Sequence, residues 1–484
     1  MSSINTNVPS MIAQRVLGMQ NKMLSISLER LSTGLRINRG KDDPAGLIAS
    51  ENLRAEKKAI GSAITNATRA EQVINVAEGG LQGIANLIVE LQGLIGASAN
   101  EAGLSQEEKE ANQLQIDSIL QTIDRLANDT SFQGSKLLNG NFDYTTAGVA
   151  TSLTDVTINS ARLPAGANLD VNITVVTSGQ TAEVYLSTGA TFSPGGTLTI
   201  EVTGADGVQQ FTFASGSTQA NIISAINTFK DAIGVSAVQN STDTNLVEMR
   251  SLGYGSAEFV RVKQIEGGAG NHVLDLPAGT NTDDLKDFGR DATVLINGIQ
   301  STADGLEARV ATAGFDVSVT IDGTSALNVD GAVTSFTITG GGANFNLSPD
   351  VSLSGKVSLG IETVTTGNLG KSGVGFLTSM SSGGTANVIN GDLALGQKIV
   401  DEAVKQVSSL RGRLGAFQKN TIGATINSLR IAFENTAAAE AAIRDTDFAA
   451  ETAELTRRQI MVQAATQALA IANQQPTAIL ALLG

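Results

Sequence analysis

The feature that most limits how this chain can fold is an unbroken apolar rhythm. Ile74, Ala77, Leu81, Ile84, Ile88, Leu91 and Ile95 follow one another at alternating steps of three and four residues. That spacing puts every member on one stripe of an α-helix, the seam of a coiled coil. A lone helix of this kind stays loose. Fixing each residue costs about 1–2 kcal/mol. Each buried aliphatic side chain contributes roughly 1.5–3 kcal/mol, and only when a partner covers it.

The partners are legible in the same way. Ile116, Ile119, Ile123 and Leu126 repeat the rhythm after the polar stretch 105–112. Near the other end, Ala403, Val407, Leu410, Leu414 and Phe417 do so again, and after a shift of phase Ile422, Ile426, Leu429 and Phe433 continue. Trp and Cys are absent and aromatic residues make up 4% of the chain, so no large aromatic core can form and burial falls to Leu, Ile, Val and Ala. The helical ends are therefore expected to pair with each other.

Between them the pattern changes. From about residue 141 to 390, Thr, Gly, Ser and Asp are dense and β-branched residues alternate with polar ones, as in GGTLTIEV, VQQFTFAS, FDVSVTIDG and SFTITG. These read as short strands separated by turns. One helix, TQANIISAINTFK, interrupts them. The middle reads as a β-rich insertion of two subdomains with a boundary near 266–281. Loop-closure cost grows only logarithmically with length, so the paired ends tolerate it.

The extreme ends carry more apolar surface than one intramolecular pair can hide. Ile12, Val16, Met19, Met23 and Ile26 form one row, and Leu17, Leu24, Leu28, Leu31 and Leu35 a second on a neighbouring face. Two rows imply burial against more than one neighbour, and a contact between unlike faces of identical subunits builds helical filaments. Two polar joints separate these ends, an inner pair of helices, from the outer coiled-coil bundle. LSTGLRINRGKDDPAG, residues 31–46, carries Arg36, Ile37, Arg39, Lys41, Asp42 and Asp43, with three cations against two carboxylates. AIRDTDFAAE, residues 442–451, carries Arg444, Asp445, Asp447 and Glu451, with one cation against three carboxylates. The opposite balances suggest that the joints lie side by side, with Asp445 and Asp447 placed to cap a helix starting near Phe448.

Several functions are disfavoured. The formal net charge of −15 opposes phosphate backbones and anionic lipid surfaces, so no nucleic-acid partner is expected. The N-terminal residues lack the basic and apolar regions of a cleaved signal peptide. Residues 459–484 hold no charge, but Gln459, Gln463 and Gln467 form a polar stripe and Pro476 follows, which argues against a membrane span. The single histidine, His272, cannot supply a two-histidine metal motif or, with no nucleophile elbow in sight, a catalytic triad. Gly370-Lys371-Ser372 imitates the end of a phosphate loop, but Thr365 stands where its first Gly belongs. No catalytic residue, cofactor or metal site is expected.

SINTN, LERLSTGLRINRGKDDPAGLIASENL, AEGGL, FQGSKLLNG, IRDTDFAAETAELTRRQI and ANQQPTAILALLG cover both ends, about half the chain, and resemble bacterial flagellin. DATVLINGIQSTADGLEARV resembles a short motif of many flagellin insertions, a weaker signal. The resemblance implies an α+β multidomain chain: a long α-helical coiled-coil bundle of paired N- and C-terminal segments, with an inserted β-rich central region. It implies an inner helical domain (1–43 with 448–484), disordered in the monomer, an outer helical bundle (44–142 with 388–447), and a surface-exposed insertion (143–387). The implied function is a structural, non-enzymatic subunit polymerising with itself into the flagellar filament for swimming motility. The alternatives are a hook–filament junction protein and a filament whose insertion acts as an adhesin. Implied partners are the flagellar cap and hook-junction proteins and a cytoplasmic export chaperone at the C-terminal helices. The implied location is the extracellular flagellum, reached by type III export without a cleaved signal. Leu31, Leu35, Arg36, Ile37, Asp42, Asp43, Arg444, Asp445 and Asp447 would form the assembly joints; Ile74, Leu81, Ile84, Ile88, Leu91, Leu410, Leu414 and Phe417 would form the seam. Where flagellins that stimulate the Toll-like receptor for flagellin often carry Arg-Val-Arg-Glu-Leu, this chain has Glu90, Leu91, Gln92, Gly93 and Leu94. Charge reversal and loss of forked donors there imply weak or no receptor activation.

Overall fold

The computed structural model describes residues 6–100, 103–164, 167–187, 197–266, 272–275, 280–312 and 314–480, with the backbone alone over 272–275, 280–282 and 475–480. Helices α1 (Val8–Thr33), α2 (Pro44–Ser98) and α3 (Gln106–Asp129) precede a strand-rich region holding the short helices α4 (Gln219–Thr228) and α5 (Lys230–Ile233). Helices α6 (Leu393–Ala416), α7 (Ala424–Arg444) and α8 (Phe448–Leu480) follow. Their starts have local causes. Asn7 Oδ1 accepts from the Ser10 N–H, and Pro lies in the first turn of α1. Ser105 and Glu108 close a capping box on α3. The α1 terminus is set by Gly34 in the left-handed region at φ 73°.

The described residues form two compact units. One comprises Glu71–Phe345 and Lys356–Phe417. Here the sequence rhythm becomes packing: Ile74, Leu81, Ile84, Ile88 and Leu91 are 0% exposed, as are Ile116, Ile123, Ala403 and Leu414. Polar bonds show which helices face each other. Gln92 Nε2 donates to Asp401 (3.0 Å) and Arg411 Nε to Glu78 (3.0 Å), joining α2 to α6. Gln115 Nε2 donates to Glu90 (3.2 Å) and Asn112 Nδ2 to Ser98 (3.1 Å), joining α2 to α3. Buried Gln113 ties α3 to the returning chain, donating to the Met380 carbonyl and accepting from the Val388 N–H, both at 2.9 Å.

The β-rich region of this unit holds two modules, one nested inside the other. The outer module has strands between Tyr144–Ala147 and Val333–Gly341, in one sheet around Leu169–Thr177 and another around Phe315–Ile321. Val171, Ile173, Val317 and Val319 fill its core. The inner module runs from Glu183–Ser187 to Asp284–Phe288, with α4 against a core of Val184, Ile200, Ile222 and Val247. The chain enters and leaves the inner module side by side, through the bridge Gln180↔Arg290. The boundary expected near 266–281 does not divide the modules. Much of it lies outside the described residues, and the flanking strands Phe259–Glu266 and Asp284–Phe288 pair within one sheet. A nested module is invisible to a reading along the chain, because both of its ends meet at one neck.

The phase shift after Phe417 has a physical form. Phe417–Gly423 is a π-helix linking α6 to α7, and its wider turn absorbs the five-residue step from Phe417 to Ile422. Phe417 is half-buried, its ring 6.3 Å from that of Phe345. In the other unit, which comprises Met1–Ala70, Asn346–Gly355 and Gln418–Gly484, Ile426 and Leu429 remain buried, but Phe433, expected on the same row, is 38% exposed.

Candidate assembly surfaces

Helices α1 and α8 run antiparallel. Asn7 Nδ2 donates to the Ala472 carbonyl (2.8 Å), Ser10 Oγ to Asn473 Oδ1 (2.7 Å) and Arg458 Nη1 to Gln20 Oε1 (3.3 Å). At the far end Arg30 pairs with Glu451 at 3.6 Å. The residues hidden here are small or polar: Ser10, Gln20, Ser27, Ala465 and Ala472. Val16, Leu17, Leu24 and Ile26 of α1 and Leu455, Val462 and Leu469 of α8 are half-buried, while other large apolar side chains are displayed. Met11, Ile12, Met19, Met23 and Leu28 are 40–62% exposed, and Phe448, Ile460, Met461 and Ile471 are 46–64% exposed. The pair thus leaves much of its apolar surface outward, an arrangement a soluble monomer has no reason to keep.

The joints meet at the end of this pair. Leu35 and Asp445 form an antiparallel bridge. The Arg36 N–H donates to the Arg444 carbonyl (2.7 Å), the Thr446 N–H to the Gly34 carbonyl (2.9 Å) and Arg36 Nη2 to the Ile443 carbonyl (2.6 Å). Each joint also builds a helix start. Asp43 Oδ1 accepts from the Gly46 N–H (2.9 Å) at the head of α2, and Asp447 Oδ1 from the Ala449 and Ala450 N–H groups (2.9 and 3.1 Å) at the head of α8. Asp42 Oδ2 accepts from the Asn38 and Arg39 N–H groups, which holds its carboxyl below the usual range, the Arg39 bond most of all. Ile37 is 1% exposed beneath this turn, while Leu31 and Leu35 are half-buried. Arg444 reaches across to Glu51 at 2.8 Å. A Cβ on Gly46 would stand 2.7 Å from Ile37 Cδ1 and 2.4 Å from Asp43 Oδ2, so any larger residue makes one of these side chains shift.

The remaining sequence-derived positions spread along the helical bundle. Leu410 and Leu414 are buried on α6, 3% and 0% exposed. Of the altered receptor stretch, Leu91 is buried, Gln92 is half-buried against Asp401, and Glu90 and Gly93 are exposed. His272 falls on the strand His272–Asp275, its side chain outside the description. The Gly370-Lys371-Ser372 stretch lies in a tight hairpin, Gly370–Lys371 against Gly375–Phe376, held to α6 by Gln406. What sequence reasoning missed is the role of Ser10, Gln20 and Ser27. They recur on one face of α1, but a search for apolar periodicity passes over them.

These surfaces define a class: a chain with paired helical ends whose outer apolar faces are complete only against further copies. Comparison with known proteins agrees. The model of the bacterial flagellin N-terminal helical region matches residues 4–143, and that of the C-terminal helical region matches 397–483. Flagellin C of Vibrio cholerae is 30% identical over 482 residues, spanning 100% of this chain and 99% of that protein. Flagellin A of Helicobacter pylori is 26% identical over 530 residues, spanning 99% of each. Among solved structures, a flagellar junction protein from Legionella pneumophila matches 83% of this chain and 100% of its own at 14% identity and a TM-score of 0.26, too slight a likeness to bear on the fold. The chain belongs to the bacterial flagellin family. It is a structural subunit of the flagellar filament, an extracellular polymer for motility. Among the described residues no helix is long and apolar enough to cross a membrane.

Proposed function

We propose that the helices work in layers. Residues 1–43 with 448–484 pack copy against copy as the core of the filament, 44–142 with 388–447 form an outer bundle, and 143–387 face the surroundings. The single observation that carries this reading is the inverted burial of the α1/α8 pair, with Ser10, Gln20 and Ser27 hidden and Met11, Ile12 and Met19 displayed. The joints act as a double spoke between core and bundle, each steadied by the other through the Leu35–Asp445 bridge. The chain acts mechanically and not as an enzyme: torque passes along stacked helices. Export proceeds unfolded, which the absence of Cys favours. A chaperone covering the C-terminal helices before export would shield the exposed Ile460, Met461 and Ile471. Cap and hook-junction proteins meet the same helical ends. Activation of the Toll-like receptor for flagellin is weak or absent, because Glu90 and Gly93 offer no guanidinium there.

Electron microscopy of purified protein under polymerising conditions tests the layering. Filaments with helical density at the axis and the insertion outside are expected. Filaments whose axis is lined by the β-rich modules would overturn it.

A further inference from the structure

Two features of the unit that holds α1, α7 and α8 remain after these surfaces are accounted for. The first is a knob. Residues 346–355 form a loop closed by the Leu347 N–H on the Gly355 carbonyl at 3.1 Å. At its tip Val351 is 88% exposed, the highest among the large apolar side chains described, and Leu353 is 44% exposed. Asp350 stands beside Val351, its carboxylate without a cation in ion-pairing reach among the described residues.

The second is a groove of about 670 Å³ between α2 and α7. Gly61 and Phe433 line it, a Cβ on Gly61 lying 3.8 Å from the Phe433 ring. Arg54, Lys57, Lys58, Ser62 and Thr65 complete the lining. Lys57 is engaged by Glu440 and Arg54 reaches Glu51 at 3.6 Å. Lys58 has no carboxylate within reach among the described residues. Val351 is too exposed to occupy the groove of its own chain.

We infer that in the filament the loop tip of one copy seats in the α2/α7 groove of a neighbouring copy, Val351 against Phe433 and Asp350 against Lys58. The occupant is a second copy of this chain because both halves of the contact are on it. An apolar tip beside an unpaired carboxylate matches a basic groove that offers the Phe433 ring beside an unpaired ammonium. Knob and groove are unlike surfaces, so the contact is heterologous and propagates into an open helical array. The inference deepens filament assembly, so the unsubstituted chain assembled in parallel separates a general failure to polymerise from a failure of this contact.

The chain has no Cys, so an engineered pair is unambiguous. Val351→Cys with Thr65→Cys, oxidised after assembly, is expected to give a ladder of disulfide-linked chains on a denaturing gel, and none before assembly. Val351→Ser is expected to raise the critical concentration for assembly by roughly tenfold. Asp350→Lys is expected to raise it too, and Lys58→Asp in the same chain to restore it. Normal filaments without inter-chain disulfides and with an unchanged critical concentration would overturn the contact. So would a disulfide that closes within the monomer.

Discussion

Asp143 is the carboxyl group most displaced from ordinary behaviour. Burial lifts it to about 6 and nearby Glu362 adds to the shift, while the Tyr144 N–H on Oδ1 and Arg413 pull the other way. The folded state thus holds a proton more tightly than the unfolded chain. Between its unfolded value near 3.8 and about 6 the folded form binds more protons, so this group's contribution to stability falls as pH rises through that window. Asp143→Asn keeps the acceptor oxygen and removes the buried charge. Its melting temperature is expected to exceed that of the parent at pH 7–8 and to match it at pH 4, as read by calorimetry across that range; equal gains at both pH values would refute the assignment. Gly46 is constrained differently, by space. Gly46→Ala forces a Cβ against Ile37 and Asp43, and a loss on the order of 1–3 kcal/mol in denaturant titration is expected. Of the two carboxylates expected to cap α8, Asp447 does so, since Asp before a helical run is a local signal, whereas Asp445 ends α7 and bridges Leu35. The demand on Gly46 was not legible in the sequence, because it comes from a side chain nine residues earlier that the turn folds back onto it.

Helices were the most legible elements. The seam of α2 was read from spacing alone, and its members are wholly buried. Leu81→Ala is expected to cost about 2–5 kcal/mol, measured by thermal loss of helical signal. The five-residue step after Phe417 was also visible, but its meaning was not: a change of phase reads equally as a loop or a kink. The chain keeps helical continuity through a π-turn, so the bundle carries one residue more than an α-helix allows. Deleting Asn420 is expected to turn Phe417–Gly423 into α-helix and leave the melting temperature nearly unchanged. Deleting Ser408, within α6, slides Leu410 and Leu414 off the seam and should lower it strongly. Equal effects of the two deletions would deny the π-turn its role. Single strands were legible, as at Leu198–Thr203, Val208–Phe213, Phe315–Ile321 and Val333–Gly341, but their pairing into sheets was not. The strand Leu169–Thr177 pairs with Thr293–Ile296 and Val333–Gly341, and no periodicity names partners more than a hundred residues away.

The whole molecule divides its apolar surface between what it hides and what it displays. A chain trimmed of residues 1–30 and 454–484 loses most of the displayed surface. It is expected to remain soluble, melt cooperatively through its bundle, and never sediment as filaments; polymers from the trimmed chain would place the assembly surface elsewhere. The joint gives a sharper test. Leu35→Cys with Asp445→Cys joins directly opposed positions, and an intramolecular disulfide is expected to form readily upon oxidation. No closure under mild oxidant would separate the two joints. An ordinary surface loop at residues 31–46 would not account for the pairing of its backbone with residues 444–446.

The sequence by itself determined the helical ends, their seams and caps, and the apolar surplus, because helix periodicity and capping are written within a few residues. Only the tertiary structure decided which way the surplus points. In α1 and α8 apolar residues occur on more than one face, so hydrophobicity alone could not choose the inner one. The inner face is the one on which Asn7, Ser10 and Gln20 meet hydrogen-bond partners more than four hundred residues away. The nesting of one β module inside another was likewise settled by pairing at a distance, which only the folded chain brings about.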